Sequence, residues 1–146
     1  MADVSLDTPG AKRVRLMDFK GKALLIAILS TDCAPCQKSI PLLNEFQRTF
    51  QGQGLQVFAA TVDAKAPQLL PAFIDRLHPI FPVGTLSQDT ARRLTDFGID
   101  DHPFVPMFLF VDKKGNVRFQ YSGNDQFFKE EKANTKRLIE VTLSLK

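Results

Sequence analysis

A chain of 146 residues with 44% hydrophobic and 24% charged residues has the size and balance of one soluble domain, large enough to bury roughly 68–70% of its unfolded surface around a single core. Nineteen Lys and Arg against 16 Asp and Glu leave a net charge of only +3, and their scatter along the chain argues against a nucleic-acid surface. The longest apolar run, 23–29, is far short of the ~20 residues a membrane helix requires, and two cysteines are too few for a disulfide-dense scaffold.

Residues 1–12 read as a flexible polar lead-in, closed by Thr8-Pro9-Gly10 and lacking the basic-then-apolar order of a signal peptide. A short alternating piece follows at Val14, Leu16 and Phe19, up to the turn Lys20-Gly21-Lys22. The unbroken run Ala23–Leu29, bounded by Gly21 and by Ser30-Thr31-Asp32, predicts a strand buried on both faces. Ile40, Leu43, Phe46 and Phe50 then recur at helical spacing with Cys36 on or near the same stripe, and Gly52 and Gly54 supply the stop.

Leu55–Val62 predicts a second strand ending at Asp63, and a helix from Gln68 to Leu77 follows, with Pro67 opening it and Pro71 tolerated near its first turn. Phe81–Thr85 is a short strand, and Gln88–Phe97 a helix closed by Gly98. Met107–Val111 is another strand, joined by the hairpin loop Asp112-Lys113-Lys114-Gly115-Asn116 to Val117–Ser122. The last helix runs from Asp125 to Leu145, with Lys129-Glu130-Glu131-Lys132 as a solvated face of paired charges. This order of elements specifies an α/β fold: a mixed sheet with helices on both faces.

Cys33-Ala34-Pro35-Cys36 falls where the first buried strand hands over to a helix. Unpaired N–H groups and the positive end of the helix dipole favour a thiolate there, and Pro35 suits a first turn because its missing N–H has no helical partner in any case. Cys33 is expected to be accessible and to attack. Cys36, one turn further in, is expected to be covered and to resolve the mixed disulfide. Zinc would require two more ligands, and His78 and His102 lie in distant loops without ligand spacing, so no metal is expected. A pair of buried structural cysteines fits poorly at a junction that carries a proline. Val105-Pro106 immediately precedes an apolar strand; proline at that place marks a turn or a cis peptide that leaves the Val105 backbone free to pair with an extended substrate. The alternative is an ordinary trans loop proline.

Taken together, Leu16–Lys22, the Cys33–Cys36 motif, Pro41-Leu42-Leu43, Val62-Asp63, Phe81–Gly84, Val105-Pro106 and Asp112–Val117 resemble the TlpA/ResA group of extracytoplasmic thioredoxin-like proteins, over about residues 14–145. The resemblance implies one thioredoxin-fold domain over 1–146, with the group's extra strand–helix insertion in 62–97, a cis Pro106 packed beside the cysteines, and a kink at Pro41. It implies thiol-disulfide exchange with apocytochrome c or other envelope proteins, in a periplasmic setting. It further implies a monomer that needs no cofactor beyond its own Cys33–Cys36 disulfide. The partners implied are a protein substrate and an upstream electron donor, with a leader or membrane anchor lost ahead of Met1.

Three positions depart from that pattern: Asp32 replaces a Trp before the first cysteine, Ala27 replaces a buried acid, and Ser39 replaces an acid three residues after the second cysteine. Asp32 is expected to cap the helix, worth ~1 kcal/mol, and to modulate Cys33. Its carboxylate at ~5 Å in an effective dielectric of ~20 opposes the thiolate by about 3 kcal/mol, against a dipole contribution of ~0.3–2 kcal/mol. That balance suits a reductase more than an oxidase. His102 is a loop histidine with a proton-transfer role as its alternative. A peroxiredoxin reading would place a proline at Ile26 and a Thr at Ser30, and the Cys36 spacing is wrong for it. The rival from another class is a non-enzymatic interaction module with a static disulfide.

Overall fold

The apolar run at 23–29 forms β3 (Ala23–Leu29) near the middle of a seven-stranded mixed sheet; the structure is a computed structural model that describes residues 1–10, 12–95 and 105–146. In chain order the elements are β1 (Ser5–Thr8), β2 (Lys12–Arg15), β3, α1 (Ala34–Phe50), β4 (Leu55–Thr61), α2 (Ala66–Leu77), β5 (Val83–Thr85), α3 (Gln88–Leu94), β6 (Met107–Val111), β7 (Val117–Tyr121) and α4 (Glu131–Ser144). The strands lie in the order β2-β1-β5-β4-β3-β6-β7. Strands β3, β4 and β5 are parallel, whereas β6 runs antiparallel to β3 and β7 antiparallel to β6.

Because side chains alternate across a strand, β3 feeds two cores. Leu25, Ala27 and Leu29 join Cys36, Ile40, Leu43, Phe46 and Phe50 of α1 and Leu138 and Ile139 of α4. Leu24, Ile26 and Ile28 join Phe58, Leu109, Leu6, Leu16 and Leu94 on the opposite face. This is why the run carries no polar residue: neither face of β3 meets water. Among the described residues no helix is long and apolar enough to cross a membrane.

The lead-in expected over residues 1–12 is corrected by the structure. Ser5–Thr8 pairs with Lys12–Arg15, and Asp7 pairs with Thr85 of β5. Val4 and Leu6 are buried, so two apolar side chains too sparse to signal a strand attach this edge to the second core. Gly84 on β5 makes the approach possible, since a Cβ there would sit 2.7 Å from Leu6 Cβ and 2.9 Å from the Asp7 carbonyl oxygen. The alternating piece expected from Val14 to Phe19 ends as a strand at Arg15 and continues as a 3₁₀ turn over Leu16–Phe19.

Other boundaries shift modestly. Helix α2 begins at Ala66, two residues earlier than expected, which leaves Pro71 past its first turn. The last helix is a 3₁₀ turn over Gln126–Glu130 before α4 proper, its start capped by Asp125, which accepts the Phe127 N–H at 2.9 Å. Helix α3 is described to Leu94; the expected stop at Phe97-Gly98 and His102 lie outside the described residues.

Asp112 organises the β6–β7 hairpin. Its side chain, only 3% exposed, accepts the backbone N–H groups of Lys114 and Asn116 at 3.0 Å and Arg118 Nη1 at 3.1 Å. Burial pushes this carboxyl up, but the Asn116, Arg118 and Lys114 bonds outweigh it and hold the group below the usual aspartate range. A depressed folded value stabilises the protein above the unfolded pKa near ~4, and that stability is lost as pH falls through the folded value. We expect Asp112→Ala to cost about 2–4 kcal/mol at neutral pH. Urea denaturation at pH 7 and at stepped values below 4 should show the gap between wild type and variant narrowing with acidification; a constant gap would contradict the assignment.

Candidate active site

Strand β3 ends at Leu29, the chain turns through Ser30-Thr31-Asp32, and α1 starts at Ala34. The helix cap expected at Asp32 falls instead on Cys33. Cys33 has extended backbone, and its Sγ accepts the Cys36 N–H at 3.2 Å. Asp32 instead points into solvent, where it accepts the Ser30 hydroxyl. The reason is register: with helical geometry beginning at Ala34, the cap position and its reach to the third N–H fall on residue 33.

Both cysteines are free, and their environments differ. Cys33 is half-buried and its thiol donates to the Val105 carbonyl at 3.8 Å. Cys36 is fully buried against the α1–sheet core. Its thiol is pushed well above the ordinary range: burial is the largest cause, the hydrogen-bonded Cys33 sulfur and the Asp32 charge add to it, and the Ser30 backbone partly offsets them. The influence of Asp32 thus registers on the covered sulfur.

The Val105–Pro106 peptide is cis, as the resemblance implied. Val105 is half-buried and touches both cores, while Pro106 is buried directly ahead of β6. The structure therefore brings Cys33, Cys36 and Val105 together, from two segments 72 residues apart. Ala27 is fully buried among apolar neighbours. Among the described residues no group of three or more His, Cys, Asp or Glu side chains is arranged to hold a metal ion.

Two carboxylates near this loop carried no signal of their role in the sequence. Asp63, just past β4, accepts both the N–H and the hydroxyl of Thr31, at 2.9 and 2.6 Å. Glu131 departs from the solvated face assigned to Lys129–Lys132: it is half-buried and accepts the Ser39 hydroxyl at 2.8 Å, although Lys132 does stay exposed and meets Glu45 at 3.4 Å. Burial raises the Glu131 carboxyl, and the Ser39 bond partly offsets this. Position 39 lacks an acid of its own, yet the fold delivers one to its side chain from α4.

Residues 1–120 match the AhpC/TSA family. The thiol-disulfide oxidoreductase ResA of Geobacillus thermodenitrificans is 30% identical over 105 residues, 71% of this chain and 56% of that protein. The ResA of Bacillus subtilis is 30% identical over 112 residues, 77% of this chain and 59% of its own length. The chain thus spans little more than half the length of these relatives. Among solved structures, a thiol:disulfide interchange protein DsbE from Chlorobium tepidum superposes with a TM-score of 0.81 at 24% identity, over 98% of this chain and 94% of that one. A likeness at that identity establishes the thioredoxin-like fold.

Proposed function

The chain belongs to the AhpC/TSA family, and from that premise we propose that it is a thiol-disulfide oxidoreductase acting on protein substrates as a reductase. The observation that carries this is the asymmetry of the two sulfurs: Cys33 caps a helix at a half-buried position, and Cys36 waits behind it with its proton held by burial. A thiolate is the attacking species in exchange, and of the two sulfurs Cys33 is the one that is not fully covered.

The Cys33 thiolate attacks a substrate disulfide, forming a Cys33–substrate mixed disulfide and releasing one substrate thiolate, which takes up a proton. Cys36 then loses its proton and attacks Cys33 Sγ, forming the Cys33–Cys36 disulfide and releasing the second substrate thiol. Two electrons pass from the dithiol to the substrate, and an upstream dithiol protein restores them, so the sulfurs themselves serve as the redox group. Val105 and Pro106 form the docking edge in this reading, the Val105 carbonyl already facing the attacking sulfur. The ResA relatives are thiol-disulfide oxidoreductases, which supports the exchange chemistry; we extend it to an envelope protein as substrate and to a monomer acting outside the cytoplasm. Against peroxide chemistry stands Ile26, fully buried in mid-strand at the place where that reading asks for proline.

Cys36→Ser tests the proposal. With the resolving thiol gone, Cys33 should accumulate mixed disulfides with oxidised protein substrates, stable to non-reducing electrophoresis and released by dithiothreitol. A static-disulfide interaction module would trap nothing, and that result would refute the oxidoreductase reading.

A further inference from the structure

We propose that Asp63 is a positioning residue for disulfide exchange, clamping the loop that presents Cys33; the proposal rests on Cys33 being the attacking thiol. Thr31 sits in the middle of that loop and is only 6% exposed. Its N–H donates to Asp63 Oδ1 at 2.9 Å and its hydroxyl to Asp63 Oδ2 at 2.6 Å. Its carbonyl accepts Gln37 Nε2 at 3.0 Å from the first turns of α1. Every polar group of Thr31 is therefore engaged, from the β4 side and from the helix side at once.

Asp63 is itself held. The Ala66 N–H donates to its carbonyl at 3.0 Å, and the preceding Val62 N–H donates to Leu29 at 3.0 Å. Downstream, the Cys33 N–H reaches the Ser30 carbonyl at 3.3 Å and the Gln37 N–H reaches the Cys33 carbonyl at 3.0 Å. A short chain of hydrogen bonds thus runs from the end of β4, through Thr31 and Gln37, to the residue whose sulfur caps the helix. Charge-assisted bonds of this kind are shorter and about twice as strong as neutral ones. Both carboxylate oxygens of Asp63 are directed at Thr31, so its chief effect falls on the geometry of the loop. A reacting atom displaced by ~1 Å can lose as much as ~10²-fold in rate.

The test is the single-turnover reaction of the reduced protein with a small aromatic disulfide at neutral pH, with thermal melts run alongside. Asp63→Ala should slow exchange roughly tenfold at temperatures where the variant is fully folded. Asp63→Asn should stay within about twofold of wild type, because its amide oxygen still accepts the Thr31 N–H and its NH₂ donates to the hydroxyl. Asp63→Ala combined with Thr31→Val should be no slower than Asp63→Ala alone, since both remove the same contact. A folded Asp63→Ala reacting at the wild-type rate, or a double variant whose losses multiply, overturns the clamp. Should Asp63→Ala fail to fold, Thr31→Val decides alone: about threefold slowing supports the clamp and an unchanged rate overturns it. A wild-type protein inert toward the disulfide overturns the oxidoreductase reading itself, and a reactive wild type with unaffected variants overturns only the role of Asp63.

Discussion

Cys33→Ser should abolish disulfide exchange, with a loss on the order of 10³-fold or more. A serine hydroxyl stays protonated at neutral pH and is no nucleophile toward a disulfide, so the variant keeps the cap geometry and loses the chemistry. Cys36 cannot take over, because it is fully buried and its proton is held by that burial. The same asymmetry sets a pH dependence for the resolving step. A thiol raised above its ordinary range has a thiolate fraction that grows about tenfold per pH unit until its pKa is reached. Release of the second substrate thiol should therefore accelerate from pH 7 through pH 9 without levelling off. Stopped-flow detection of an aromatic thiolate leaving group measures both steps. Substantial exchange in Cys33→Ser, with loss in Cys36→Ser, would reverse the two roles.

Phe108→Ala should destabilise the protein by about 3–5 kcal/mol, a large fraction of the ~5–15 kcal/mol typical of a whole domain. Phe108 is fully buried on β6, opposite Ala27 of β3 in the ladder. Its ring lies edge-on to Phe127 at 6.1 Å and to Phe128 at 5.0 Å between centroids. Truncation leaves a cavity where α4, its preceding turn and the sheet meet, and the small Ala27 side chain opposite cannot fill it. Phe108→Leu should cost less, since it retains most of the volume. Urea denaturation gives both values, and a loss below about 1 kcal/mol for the alanine variant would mean that the site collapses onto the void.

The correspondence between sequence and structure divides along distance in the chain. The β6–β7 hairpin was legible because Asp112 and Gly115 make their turn within five residues, and Gly115 adopts the φ of +88° that its lack of a Cβ permits. Helix α1 was legible because Ile40, Leu43, Phe46 and Phe50 repeat at its period. Of the edge pair, the alternation from Val14 pointed to β2, whereas β1 was not legible, since Val4 and Leu6 offer too brief an alternation to rise above a polar tail. Capping by Cys33 in place of Asp32 turned on a single residue of register, which propensity does not resolve.

By itself the amino-acid sequence determined that a doubly buried strand would run into a helix carrying Cys33 and Cys36, and that Val105-Pro106 would precede an apolar strand. Those outcomes follow from runs, periods and turn residues acting over a few positions. Only the tertiary structure decided that Val105 faces the Cys33 sulfur, that Asp63 grips Thr31, and that Glu131 reaches Ser39 across 92 residues of chain. Such contacts depend on how finished strands and helices stack. A hydrogen bond between side chains so far apart leaves no periodic trace in the order of the residues that make it.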